Sequence, residues 1–414
     1  MIIQGVQDGE VYGADTPLYF SAQALLGESI TSVTLLIYVW YGDKVTDEPA
    51  NPNYRLYRNE DSFGKNATFT EFNISSFAKD VLRFETFSGS YALNNACWMK
   101  VEYYINYLDA GQAPQTLDSE LTIACTMGYS TYEQEANFLL NPVLFPSSEL
   151  NATIGSVLPI TILANQITGG SSKTITKLMA NYSDGSYNEF VVPAVTDNTN
   201  NLFQIAEFDI TDVDYIDIES DVPAYGSVRV FPKSVYKYKP QRVGYLDSNG
   251  TISHITFYGN NIEISNYTRD TFGAYKGSSY DRNNGNTRIF RTNGRESITM
   301  NTDWVSEDFF QVIDQLLLSK YVFLEVENLS CGKTYPQVVE SDGGTCESAQ
   351  CVANGLQKYG LTFDDLRTAP TYEVGQRINV IPETKNITQK KLVNELINYQ
   401  IEFKKAFGKK ATYL

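Results

Sequence analysis

Nearly every stretch of this chain alternates apolar and polar residues over a short run and then stops at Gly, Pro, Asn or Asp, the pattern of a strand that buries one face and ends in a turn. Such a period leaves little room for helices. Its main interruption is "WVSEDFFQVIDQLLLSKYVFLEV", residues 304–326, which reads as one helix feeding directly into a strand. Composition agrees: 42% of residues are hydrophobic and 20% charged, with 29 Tyr and 22 Phe, too apolar and aromatic for a disordered chain and suited to strands. At 414 residues the chain exceeds what one core serves, so two or three mainly β domains are expected.

Residues 1–140 predict a β-sandwich domain with one helical turn. "SVTLLIYVWYG" is a strand, Pro49 and Pro52 force an extended loop, "YRLYRN" returns, and "WMKVEYYINYLD" is a further strand. Asn73 or Ser75 is the expected cap of the short helix. Prolines in "NPVLFPSSELN" mark a boundary near 141, and a second β domain is expected over 141–240, with Asp184-Gly185 as a tight hairpin. A third domain over 241–414 opens on a hairpin turned by Asn249-Gly250, and "TRIFRTNGRESITMNT" reads as two further strands.

The helix is expected over 306–319, with Ser306 as N-cap, Glu307 and Asp308 at its positive end and Val305 stapled to Phe310. Its apolar stripe is Phe309, Val312, Ile313, Leu316 and Leu317, with Asp314 and Gln315 elsewhere, so it should cover one edge or face of a sheet. "LINYQIEF" near the end alternates as a strand, while residues 329–376 break the pattern and read as an insertion.

A formal charge of −17 and a pI near 4.6 oppose tight nucleic-acid binding, which depends on Lys and Arg displacing counterions. No basic-plus-apolar leader precedes "MIIQGVQDGEVYG" and no apolar run approaches the roughly eighteen residues a membrane helix needs, so a protein made in a cytoplasm is expected. The sequons at Asn66, Asn181 and Asn386 are then products of composition rather than glycan sites.

Catalytic chemistry finds few candidates. His254, the one histidine, lies in "TISHITFYG" beside Ile255 and Phe257, which define the buried face, so it should point the other way. Cys97, Cys125, Cys331, Cys346 and Cys351 are odd in number and lack metal-ligand spacing, and are read as structural or free thiols. "GGSSKT", 169–174, lacks the glycine a phosphate loop places before its lysine, and "DRNNGN", 281–286, lacks calcium-loop spacing. The acidic segment 207–221, with "DITDVDYIDIESD" at 209–221, fits a cation site, an acid pair for glycoside hydrolysis, or an exposed acidic strand pair. The tyrosines suit sugar stacking or large protein contacts. No catalytic residue, metal or cofactor is assigned.

"TNGRESITMNTDWVSEDFFQVIDQLLLSKYVFLE" and, after an interruption, "INVIPETKNITQKKLVNELINYQIEFKKAF" resemble a module of virion structural proteins from Bacteroidetes-infecting phages, including crAss-like phages. The matching positions are Asn293 and Gly294, Asn301 to Val305, Gln315 to Ser319, and Leu396 to Phe407. "TLLIYVWYGDKVTDEPANPNYRL" and "FTEFNISSFAKDVL" are similar to the leading β domain of the same proteins. The resemblance implies sandwich-like N-terminal domains followed by a tail-tube-like β-barrel or sandwich with one helix packed outside it. It implies a non-enzymatic tail, neck or baseplate subunit of the virion, assembled in the host cytoplasm as a homo-oligomeric ring of roughly six or twelve copies. Portal, neck or other tail proteins would be its partners, and DNA would pass its lumen without tight binding. A carbohydrate-binding or depolymerising surface protein is the alternative.

Overall fold

In the computed structural model the described residues are 1–42, 44–59, 61, 67–82, 96–109, 112–130, 137–138, 143–145, 147–163, 175–192, 203–233, 238, 240–273, 287–306, 309–325, 377–384, 397–406 and 409–412. They are mainly β, with two short helices, and their buried apolar residues gather into three clusters lying within 6–125, 143–230 and 243–403.

The first cluster is the filling of a sandwich. A six-stranded sheet built on Glu28–Trp40, Ala96–Asp109 and Gln115–Thr126 faces a three-stranded sheet of Ile2–Gly5, Tyr19–Gln23 and Phe69–Asn73. Alternation does the sorting: Val33, Leu35 and Ile37 point inward together with Met99, Val101 and Ile105 from the neighbouring strand. Helix α1, Ser75–Val81, follows the last of these strands. Its N-cap is Ile74, but the expected Asn73 still serves, because its Oδ1 accepts the Ser75 N–H at 3.1 Å and the Leu18 N–H at 3.3 Å. Cys97 and Cys125, free thiols in register across adjacent strands, are buried here, and the contact with Cys125 and then burial push the Cys97 thiol up.

The second cluster fills another sandwich, of three strands against five. Its hairpin turns at Asp184-Gly185, where Gly185 has φ +87° and donates to the Tyr182 carbonyl at 2.9 Å.

The third is an eight-stranded sheet in the order Ile252–Phe257, Gln241–Leu246, Val322–Glu325, Arg377–Pro382, Ile397–Lys405, Thr287–Val305, Ile262–Gly273, with Lys409–Thr412 paired beside Thr287–Val305. Among the described residues no barrel is closed. The order nevertheless begins and ends on neighbouring stretches of chain, and between them the Gly259 N–H donates to the Asn301 carbonyl at 2.9 Å, so the sheet curls. Helix α2, Phe310–Leu318, packs on this sheet as expected: Val312, Ile313 and Leu316 share one core with Val243, Ile298, Leu324, Tyr399 and Phe403.

Three expectations are corrected here. The helix begins at Phe310 with Phe309 at the N-cap and no side-chain cap, while Ser306 contributes only its carbonyl, 3.3 Å from the Phe309 nitrogen. Phe309, a member of the expected stripe, joins Val305 in the core, whereas Phe310, the expected staple partner, is one position off that stripe and 37% exposed. Asn293 and Gly294 form no hairpin turn: Thr287–Val305 is one continuous strand, and the pair is held extended opposite Thr268 and Tyr267 on one side and Lys410 and Lys409 on the other. Paired backbone on both edges overrides the local turn preference.

Candidate functional site

The third unit meets each of the others through a built junction. On the side of the first unit, the Asn249-Gly250 turn closes around Asp247. Its Oδ1 accepts the N–H groups of Asn249 (2.9 Å) and Thr251 (3.0 Å), and its Oδ2 accepts the hydroxyls of Thr251 (2.7 Å) and Ser253 (2.8 Å). Burial, with 1% of the residue exposed, pushes this carboxyl above its ordinary range, although the four donors pull the other way. The turn lodges against residues 126–129: the Tyr129 N–H donates to the Ser248 carbonyl (2.9 Å) and the Thr126 hydroxyl to the Asn249 carbonyl (3.0 Å). Gly250 has φ +82°, and a Cβ there would stand 2.6 Å from the Gly128 nitrogen, so two backbones touch where side chains have no room.

From the same corner the Tyr129 hydroxyl donates to the Gln315 carbonyl of α2 at 3.0 Å, and burial, then the nearby Asp247 and Asp314, raise its phenol pKa. Lys320, just past α2, reaches Asp15 at 2.6 Å. The polar side of α2 thus faces the first unit of its own chain.

The junction with the second unit uses charged side chains. Arg242 donates to the Val157 carbonyl (3.2 Å) and pairs with Glu325 (3.2 Å), whose other oxygen lies 3.2 Å from His254 Nε2. Lys233 pairs with Asp303 at 3.6 Å and lies over the Tyr258 ring, whose hydroxyl is 3.3 Å from the Thr153 hydroxyl. His254 therefore stands opposite the buried Ile255 and Phe257, within hydrogen-bond distance of Glu325 and beside a cavity of only about 20 Å³. That cavity admits a water and no substrate of any size.

The acidic segment disperses its carboxylates. Asp217 makes two hydrogen bonds to Arg229 (2.7 Å each), Glu219 accepts from Asn181 (2.9 Å), and Asp221 accepts from Thr176 (3.0 Å to its nitrogen). Among the described residues no group of three His, Cys, Asp or Glu side chains could hold a metal ion. "GGSSKT", "DRNNGN", Cys331, Cys346, Cys351, Asn66, Asn386 and the insertion 329–376 lie outside the described residues.

Two features went unforeseen. One is a cleft of about 660 Å³ with Arg291, Arg295, Lys404 and Lys405 among its lining. The other is the strand Ile262–Gly273, which ends the sheet order and, among the described residues, pairs only with Thr287–Val305. Its described side chains from Ile262 to Arg269 are all exposed, among them Ile262 (47%), Ile264 (43%) and Tyr267 (54%).

No protein-family profile and no curated protein matches the chain. Among solved structures, it is similar to trypsin-activated alpha-2-macroglobulin from Escherichia coli at 11% identity and a TM-score of 0.21, over 73% of this chain and 19% of that one. Salmonella alpha-2-macroglobulin reacted with methylamine aligns at 10% identity and 0.19, over 72% and 25%. The native E. coli protein aligns at 10% and 0.19, over 100% and 31%. The chain thus spans 19% to 31% of those lengths, and likenesses at these TM-scores transfer neither fold nor activity.

Proposed function

We propose that this protein is a structural subunit of a phage virion, building a ring of the tail, neck or baseplate through which DNA passes and meeting other tail, portal or neck proteins along the axis. The observation that carries the reading is the bare strand Ile262–Gly273. Among the described residues one edge of it has no partner strand, and isoleucines and aromatics lie exposed along it. A long unpaired edge with exposed isoleucines and aromatics is a hazard for a chain that works alone and a ready-made seam for one that works as an assembly, although Glu263, Arg269 and the irregularity at Asp270/Thr271 restrict which partner it accepts. The aromatic content and the acidic surface, which repels rather than holds a sliding duplex, agree with this role.

Mass photometry and negative-stain imaging of the purified protein test it. Closed rings of uniform size are the expected outcome, with Ile264→Lys shifting the population to single copies. Uniform monomers at all concentrations would remove the reading.

A further inference from the structure

The basic cleft contradicts the sign of the whole molecule. In a chain of net charge −17, strands Ile262–Gly273, Thr287–Val305, Arg377–Pro382 and Ile397–Lys405 bring four cationic side chains to one depression. Lys404 pairs with Glu383, and Lys405 pairs with Glu296 at 2.8 Å. The two arginines are not so neutralised. Arg291 donates to the Asn293 amide oxygen at 3.1 Å, and among the described residues neither it nor Arg295 forms an ion pair, even though Asp270 is the register partner of Arg291. Two guanidiniums beside amide and hydroxyl groups of Asn266 and Thr268 are suited to receive carboxylates in bidentate fashion.

The second unit carries the complement. Its hairpin turn and the loop 211–215 are stitched into one body by Ser183, whose hydroxyl accepts the N–H groups of Asp214 (3.0 Å) and Tyr215 (3.4 Å), while its own N–H donates to the Tyr215 carbonyl (3.1 Å). Asp184, Asp212 and Asp214 are exposed on that body, and none forms an ion pair among the described residues. The tip is therefore acidic, fixed in shape and unneutralised.

We infer that the Arg291–Arg295 cleft of one copy receives the Asp184–Asp212–Asp214 tip of a second copy. The two surfaces sit on different units of one chain, so the contact is head-to-tail. Repeated from copy to copy, such a contact closes into a ring where its rotation returns to the first copy, which is what the assembly reading requires. The inference rests on the assembly reading above and specifies which surfaces meet.

Charge reversal tests it in the full chain. Arg291→Glu with Arg295→Glu, and separately Asp212→Lys with Asp214→Lys, are expected to weaken assembly at least about tenfold while leaving the melting temperature unchanged. Mixing the two double variants is expected to restore rings, because each reversed cleft then meets a reversed tip. If the wild type forms rings and neither variant weakens them, this contact is overturned and the ring reading stands. If both weaken them and the mixture restores nothing, pairing between copies is overturned. Micromolar binding of an oligothymidylate that only the arginine variant loses, with assembly intact, would give the cleft to a polyanion instead. A wild type that stays monomeric overturns both readings.

Discussion

Two antiparallel ladders of equal length are treated in opposite ways by this molecule. Glu28–Trp40 pairs with Ala96–Asp109, and Ile262–Gly273 pairs with Thr287–Val305, over twelve register partners each. In the first, Val33, Leu35 and Ile37 are 0% exposed because a second sheet lies on them; in the second, Ile262 and Ile264 are 47% and 43% exposed because nothing described does. Thr287–Val305 contains both conditions in one strand: Ile298 and Met300 are buried in the core that α2 shares, whereas Ile289 is 43% exposed. Backbone pairing organises a strand, but only a covering layer makes its apolar residues stabilising.

The largest effect should come from opening a covered ladder. Leu35→Ala is expected to cost about 2–5 kcal/mol in chemical denaturation, since the rigid sandwich cannot close over the void. Ile264→Ala on the bare ladder should stay within about 0.5 kcal/mol when measured on dissociated protein. Equal losses at the two positions would end the distinction. Leu316→Ala in α2 removes a side chain that is 0% exposed, and the same range of about 2–5 kcal/mol is expected, read as a lower melting temperature.

A smaller effect belongs to the corner that joins the first and third units. Tyr129→Phe deletes the donor to the half-buried Gln315 carbonyl and should cost about 0.5–1.5 kcal/mol, the net worth of one hydrogen bond. Asp247 adds a pH signature. Its folded-state pKa is raised by burial, so the stability it contributes is fully present below the unfolded carboxylate value, near about 3.9, and is lost as pH rises through the folded value. Urea unfolding of wild type and Asp247→Asn across that range should show the difference moving in favour of the asparagine variant as pH increases. A constant difference would mean that the carboxyl titrates as it does in water.

Much of the fold is legible because period two is a local signal. The strand Ile397–Lys405 could be read from Ile397, Tyr399, Ile401 and Phe403, all 0% exposed, and the Asn249-Gly250 hairpin from its turn residues. Asn293-Gly294 misleads for the complementary reason: the same dipeptide stays extended where strands flank it on both sides. The junction at Asp247 was hidden because "DSNGT" looks like any solvated turn, and its burial comes from residues 126–129 in another unit. The cleft was hidden because Arg295 and Lys404 become neighbours only through strand register, in which Lys404 faces Ser297. Of the chemistry, sequence could say that His254 opposes a buried face; that it shares Glu325 with Arg242 needed the fold.

The strand order of the third sheet also sets a sequence of events in time. Arg377–Pro382 and Ile397–Lys405 lie at its middle and join two groups of strands encoded earlier. During synthesis the two sandwiches can form as their residues emerge, whereas the third sheet remains in two halves until residue 405 is made. The basic cleft takes walls from both of those late strands, so a growing chain on the ribosome has no finished cleft to offer its neighbours. Polysomes crowd many unfinished copies together, and on the proposed contact two unfinished chains could not pair with each other, since neither would yet hold a cleft.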